Sequence, residues 1–494
     1  MRRKETHFIV KLLKQHRGFL IIIALASIIF ANGIWAYKEF VRAESYFALG
    51  ARMMIERGEW LAPHAPDEQV LNKPPLTYWL IGFSTKIFGA SYGAARVPGV
   101  IAALCTLGVI YFLGFRFGGV REGVLAAAML STSYLFLSFA RMAMSDMLLT
   151  LFVTIALACF TIILTSNSNH RNVLALVGYA ALGLGVLTKG PIAFVLVAAP
   201  IGTELLISRD RSKVMKLRPL LGLITFVIVA APYFVFVYSR LGVEPLRFFF
   251  IGENVERFTG AIYTWSQNPF WYEFAAFFSD FAPWSVLIPI AVWFDWKHRA
   301  RTDRSTRMLY LWLVWTIVLF SISNFKLDYY LLPAMPAAAL IVGRLVMRSE
   351  RRIKAALITC AAIAAMVFTL QMTAGRRFAR FLPVPQLVAG VPADRVWFTS
   401  AATTDWANDI AFNLPPPHTV ERLIDSDDAE LSEVLRMNRN AVVLIREREY
   451  QSLAAKDPEI KILATGGSYG HGGMNLNMLL HPQRETLFVI GHER

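Results

Sequence analysis

Cysteine is nearly absent from this chain: the 494 residues hold three, at Cys105, Cys159 and Cys360, each inside an apolar run. That excludes a disulfide framework and a thiolate metal site, and leaves the three as small buried hydrophobes. Charge is also scarce, at 17% of residues against 55% hydrophobic, a combination that a soluble chain of this length does not sustain. Acidic residues are the scarcer sign, since 35 Asp and Glu face 50 Lys and Arg for a net charge of +15. The surplus does not form a nucleic-acid-binding face, because it is parcelled into short loops between apolar segments, and no nucleic-acid partner is expected. The sequence shows no internal repeat and no low-complexity tract.

What is present is a series of apolar segments, each able to cross much of the roughly 30 Å of a bilayer's hydrocarbon. They fall near 19–37, 92–113, 121–140, 146–164, 174–188, 190–207, 217–238, 282–295, 308–324, 329–347 and 354–372, about eleven spans of a polytopic α-helical membrane protein. The first has no clear small-residue cleavage site and reads as a retained span. Lys and Arg cluster before the first span (Arg2, Arg3, Lys4, Lys11, Lys14, Arg17), after the sixth (Arg209, Arg211, Lys213, Lys216, Arg218), after the eighth (Lys297, Arg299, Arg301, Arg304, Arg307) and after the tenth (Arg348, Arg351, Arg352, Lys354). All of these fall on one side, which the positive-inside rule makes the cytoplasm. The N-terminus is then cytoplasmic, and the loops 38–91 and 239–281 and everything after Ala374 are external.

The domain boundary falls there: 1–374 reads as the membrane domain and 375–494 as a small soluble α/β domain. Residues 395–400 (RVWFTS), 441–447 (AVVLIRE) and 485–491 (ETLFVIG) are strand-like, while 427–437 and 449–457 read as helices, the first opening on Asp427 as a cap. The glycine cluster GGSYGHGG at 466–473 lacks the strand and helix that flank a phosphate-binding loop and reads as a plain flexible loop.

The first external loop is polar and too long for a hairpin. Its first half reads as an amphipathic helix lying on the membrane surface, with Tyr46, Leu49, Met53 and Met54 at helical spacing, Glu44, Arg52, Glu56 and Arg57 on other faces, and Gly58 as its stop. Its second half ends in Asn72-Lys73-Pro74-Pro75, where two fixed φ angles pin the backbone beside a cation. Ionisable residues at the ends of membrane spans are functional candidates by default, and the external side collects Glu44, Lys73, Asp146, Lys189, Glu253, Arg257 and Lys326. Four of these, Lys73, Lys189, Arg257 and Lys326, are cations from different segments, and together they would suit a phosphate or pyrophosphate headgroup. Each alone also fits a snorkelling anchor, and Trp265, Phe270, Trp271 and Tyr272 fit an interfacial aromatic belt.

A series of short motifs, in this order, resembles one known superfamily: 43–63 (AESYFALGARMMIERGEWLAP), 72–80 (NKPPLTYWL) with 86–89 (KIFG), 141–152 (RMAMSDMLLTLF), 187–191 (LTKGP), 253–258 (ENVERF), 268–274 (NPFWYEF) with 282–285 (APWS), and 326–337 (KLDYYLLPAMPA). The chain resembles, over roughly residues 19–345, the protein O-mannosyltransferase and aminoarabinose lipid A transferase superfamily, C-type membrane glycosyltransferases. The resemblance implies transfer of a sugar from a polyprenyl-phosphate donor to a lipid, glycan or protein acceptor, on the external (periplasmic) face of a bacterial inner membrane. It implies that Lys73, Arg257 and Tyr330 bind the lipid phosphate; the external charges Lys189, Asp146 and Lys326 join them as candidate substrate-binding residues, among membrane lipids.

The chain departs from the family pattern at three positions. The family's Asp-Glu pair reads Ala43-Glu44, its Glu-Lys-Pro reads Asn72-Lys73-Pro74, and the histidine of its Glu-His-x-x-Arg-Phe reads Asn254. The glutamate and histidine are metal ligands in the aminoarabinose enzymes, and a carboxamide is a poor zinc ligand, so no zinc site and no cofactor are expected. A magnesium ion held by water or by the donor phosphate is the one divalent arrangement left open. Glu44 is the expected general base, with Asp146, then Asp67, Glu68 or Glu253, as substitutes; its bland reading is a solvated surface carboxylate. The competing function is a non-catalytic lipid-binding or transport relative that keeps the scaffold and the phosphate site; a transporter would more often show paired repeats.

Overall fold

In a bilayer no water is at hand to satisfy backbone amides, so long apolar runs must pair their amides internally and become helices. The computed structural model describes residues 2–61, 73–166, 169–210, 212–261, 268–298, 303–327, 329–375, 383–392, 394–400, 403, 406–414, 420–423, 428–468 and 485–492. Seven helices are long and apolar enough to cross a membrane: Lys14–Ala31, Tyr92–Gly118, Ser145–Thr165, Arg171–Lys189, Pro219–Leu241, Arg304–Ile322 and Glu350–Thr373. The helices Tyr272–Asp280 and Trp284–Lys297 together have the length and apolarity of one more and meet at 117°, the geometry of a broken span or a re-entrant loop. Ile192–Ser208 and Leu332–Met347 are apolar but shorter, and the segment expected at 121–140 divides into Val120–Ser131 and Tyr134–Phe139. Every expected apolar segment is therefore helical, although length alone qualifies seven or eight, among the described residues, as full spans. The stretch expected to be external loop at 38–91 holds a further helix, Leu76–Phe88.

Two units divide the chain. The first comprises Met1–Asn32, Gln69–Leu80 and Arg96–Thr369 and is helical. At one end of it buried acids are paired: Glu204, near the far end of Ile192–Ser208, meets Arg304 at 3.2 Å and Arg307 at 2.7 Å, and Arg344 donates to Glu122 at 2.9 Å. These ion pairs belong to the helix ends beside the Lys and Arg clusters at 209–218 and 297–307, so the fixed charges of that end are neutralised inside the protein rather than left in hydrocarbon.

The second unit comprises Gly33–Glu68, Ile81–Ala95 and Leu370–Arg494. Its sheet is built from β1 (Val396–Thr399), β2 (Val420–Arg422), β3 (Ala441–Arg446), β4 (Ile460–Ser468) and β5 (Glu485–His492), in the order β2-β1-β3-β5-β4. β1 runs parallel to β2 and β3, with Val396 opposite Ala441, while β5 is antiparallel to both β3 and β4. Side chains alternate between two cores: Trp397, Val442, Leu444 and Val489 on one face with Leu387, Trp406 and Ile410, and Phe398, Val443, Ile445 and Ile490 on the other with Leu431, Leu435 and Leu453. The first three glycine-cluster residues, Gly466 to Ser468, belong to β4 rather than to a loop; residues 469–473 lie outside the described residues.

The helix Glu44–Arg57 belongs to this second unit and is more deeply seated than a membrane-surface helix. It buries Glu44, Ser45, Phe47, Ala48, Leu49, Gly50, Ala51 and Met54, and ends, as its sequence predicts, on Gly58 at φ +72°. The run of small residues lets it approach the helix Ala407–Asn413, where Arg52 donates to the terminal carbonyls of Ala411, Phe412 and Leu414 and so satisfies acceptors that the helix end cannot. Asp409, fully buried, accepts from the Phe40 N–H at 3.1 Å and the Tyr92 hydroxyl at 2.6 Å.

Candidate functional site

In the first unit, two antiparallel helices present opposite charges at adjoining ends. Ser145–Thr165 has Asp146 in its first turn, and Arg171–Lys189 closes on Lys189. Each charge sits where the dipole of its own helix favours it, and the two meet at 2.5 Å. Gly190 then turns the chain at φ +84°, and a Cβ there would lie 2.5 Å from Phe249 Cζ. Only glycine combines that conformation with that contact.

Phe249 belongs to a π-helix, Phe248–Glu256, a wider winding that often marks functional sites. Within it the Asn254 side-chain amide donates to the Phe249 carbonyl at 2.7 Å. The winding leads into Arg257 and sets Glu253 one turn before it, and Arg257 donates to Glu253 Oε2 at 2.9 Å. Lys73 donates to the same oxygen, so one carboxylate, with 1% of its side chain exposed, joins two cations. Arg257 also lies beside Tyr330 and stacks over the Phe325 ring at 4.8 Å. The Lys189 ammonium lies 4.9 Å from the Tyr330 ring centre, at cation–π distance.

Lys73, Asp146, Lys189, Glu253, Arg257 and Tyr330 thus form one cluster drawn from five separate chain segments. Its electrostatics are legible in Lys73: burial, reinforced by Arg257 and Lys189 and opposed by Glu253, pushes its pKa down to about 8. A half-desolvated ammonium beside a guanidinium binds phosphate oxygens strongly, because the ions are already stripped of much of their water.

Lys326, which the sequence groups with these cations, is held by backbone carbonyls. Its ammonium donates to the backbone carbonyls of Asn268 at 3.0 Å and of Ser323, and burial lowers its pKa, with Glu273 opposing. Glu44 lies in the second unit with no exposed surface, its Oε2 accepting the Val41 N–H at 3.0 Å; a solvated surface carboxylate it is not. Asp67, Glu68 and Asn72 lie outside the described residues. The residue whose role sequence reasoning missed is Glu253. It was visible as an external acid, and its i, i+4 spacing to Arg257 was the available signal, but nothing local announces Lys73 as its second partner.

Of the two positions where the resemblance implies metal ligands, Asn254 presents a carboxamide, a poor zinc ligand, whose nitrogen donates to the Phe249 carbonyl at 2.7 Å, and Asn72 lies outside the described residues.

The chain matches the family described as dolichyl-phosphate-mannose-protein mannosyltransferase over residues 72–236. An uncharacterized protein of Aquifex aeolicus is 30% identical over 328 residues, 66% of this chain and 63% of that protein. The undecaprenyl phosphate-alpha-4-amino-4-deoxy-L-arabinose arabinosyl transferase of Pectobacterium atrosepticum is 29% identical over 329 residues, 66% of this chain and 57% of that protein. The match therefore spans less than two thirds of the length of either relative. The crystal structure of ArnT from Cupriavidus metallidurans bound to undecaprenyl phosphate has the same fold, with a TM-score of 0.75 at 18% identity, covering 96% of this chain and 98% of that one. The ordered motifs, the family model over residues 72–236 and the sequence relatives all liken this chain to the protein mannosyltransferase and ArnT superfamily, and the ArnT structure shares its fold.

Proposed function

We propose that this protein transfers a sugar from a polyprenyl-phosphate donor to a lipid, glycan or protein acceptor. The observation that carries the reading is the joint hold of Lys73 and Arg257 on one anionic oxygen, with Lys189 and Tyr330 alongside. An acceptor oxygen attacks the anomeric carbon of the sugar, the bond from that carbon to the phosphate oxygen breaks, and the electron pair leaves with the polyprenyl phosphate. Lys73 and Arg257 stabilise the charge that grows on the leaving phosphate, the kind of preorganised electrostatics that lowers such barriers most. Glu44 takes the acceptor proton as general base.

The Lys and Arg bias supports a cytoplasmic N-terminus and a periplasmic C-terminal domain in a multi-pass bacterial inner-membrane protein; a reporter fused after Arg494 that is active only in the cytoplasm would contradict it. The functional test is binding and transfer by protein in lipid nanodiscs. Lys73→Ala and Arg257→Ala should each weaken binding of undecaprenyl phosphate, and transfer from a polyprenyl-phosphate sugar should fall with it. Unchanged affinity in both variants would remove the phosphate site, and lipid binding without any transfer across a panel of donors and acceptors would mark a non-catalytic relative.

A further inference from the structure

The cluster already contains an anion where a lipid phosphate would bind. Glu253 Oε2 accepts from both Lys73 and Arg257, and those two cations are the ones that the proposed reaction assigns to the leaving phosphate. A carboxylate oxygen and a phosphate oxygen ask for the same N–H donors in the same geometry, so the two compete. With 1% of its side chain exposed, Glu253 is not screened by water, and its charge is felt at close to full strength.

The charge balance says which lipid the competition disfavours. Among the described residues of the cluster, Lys73, Lys189 and Arg257 against Asp146 and Glu253 leave one positive charge in excess. A sugar-bearing phosphodiester carries one negative charge; the phosphate monoester released by transfer carries roughly 1.5 to 2 at neutral pH. Cations alone would hold the product harder than the donor, and turnover would stall on release. A resident carboxylate penalises the more highly charged species more. It also sits on a π-helix, a winding that recurs at functional sites.

We infer that Glu253 is the product-release residue of this site: it yields Lys73 and Arg257 to the donor phosphate and returns to them to expel the polyprenyl phosphate product. The inference rests on the reading of the cluster as a lipid-phosphate site. Glu253 is a positioning residue in this scheme, acting on the lipid through the two cations it shares.

The test uses the full chain in nanodiscs, with undecaprenyl phosphate, its methyl phosphodiester and uncharged undecaprenol as probes. Glu253→Gln removes the competing charge and should bind undecaprenyl phosphate about tenfold more tightly than wild type, while its affinity for undecaprenol stays unchanged. If the carboxylate were merely structural, the same variant would bind the phosphate equally or more weakly, and either result overturns the inference. Because that variant leaves two buried cations uncompensated and could fold poorly, a second measurement needs only wild type. The monoester and the methyl diester should bind the wild-type chain within about fivefold of each other, and a larger preference for the monoester overturns the inference. Wild-type binding of undecaprenyl phosphate no tighter than that of undecaprenol would instead remove the phosphate site itself, and both readings with it.

Discussion

Lys189 closes one helix and Asp146 opens its antiparallel neighbour, and the two side chains meet at 2.5 Å with 19% and 5% of their surfaces exposed. Both are partly desolvated, so each is expensive without the other. Asp146→Asn should lower stability by about 3 kcal/mol, seen as a lower melting temperature in detergent. Asp146→Asn combined with Lys189→Met should recover part of that loss. Strictly additive losses would show that the pair is not energetically coupled.

A second prediction concerns pH. The Lys73 pKa is pushed from 10.5 down to about 8, chiefly by burial, with Arg257 and Lys189 adding to the effect and Glu253 opposing it. Below pH 8 the ammonium is charged and binds phosphate; above it the charge is lost, so affinity for undecaprenyl phosphate should fall as pH rises through about 8 rather than near 10.5. The stability effect has the opposite sign. Between about 8 and 10.5 the unfolded chain binds the proton and the folded chain does not, so the contribution of Lys73 to stability rises with pH across that window. Lys73→Arg stays charged throughout and should abolish the fall in affinity near pH 8. A wild-type affinity flat to pH 10 would contradict the assignment.

Much of this architecture is legible from apolar runs and Lys/Arg bias, because a bilayer admits few ways to satisfy a backbone. What escapes is set by shorter or non-local signals. Leu76–Phe88 is helical but has only 13 residues, too few to register as a span. β2 has three residues, Val420 to Arg422, with no alternation to read, and β4 carries Gly466 and Gly467, which resemble a loop until they pair with Leu487 and Thr486. The sequence groups Lys73, Lys189 and Arg257 as external cations, but the carboxylate of Glu253 shared by Lys73 and Arg257 appears only in the fold. Lys326 shows the limit of that reasoning: its charge is as conspicuous as theirs, yet it donates to the backbone carbonyls of Asn268 and Ser323, which no motif reveals.

Gly190 offers a prediction about the wall of the site. At φ +84° an alanine is strained, and its Cβ would be driven into the Phe249 ring. That ring belongs to the π-helix that carries Glu253 toward Arg257. Gly190→Ala should therefore cost about 2 kcal/mol of stability and also weaken undecaprenyl phosphate binding. Gly190→Ala with Phe249→Leu should regain some affinity by relieving the clash, while the backbone strain persists. Normal binding in the single variant would show that the wall has room to yield.

The last prediction concerns Glu44. It begins its helix, just after Arg42 in a left-handed conformation at φ +57°, and its carboxylate turns back to accept the Val41 N–H at 3.0 Å. A carboxylate with no exposed surface is costly to retain, and that cost argues for a role beyond solvation of a loop. Glu44→Gln keeps the shape and leaves an amide oxygen to accept from Val41, so the protein should still fold, with lower stability. A glutamine cannot take up a proton. If Glu44 is the base, turnover should fall by a factor of about 10² to 10⁴, while undecaprenyl phosphate affinity, which rests on Lys73 and Arg257, is unchanged. Near-normal turnover in a folded Glu44→Gln protein would move the role to another carboxylate, and Asp146, already drawn into the cation cluster by Lys189, is the first to test.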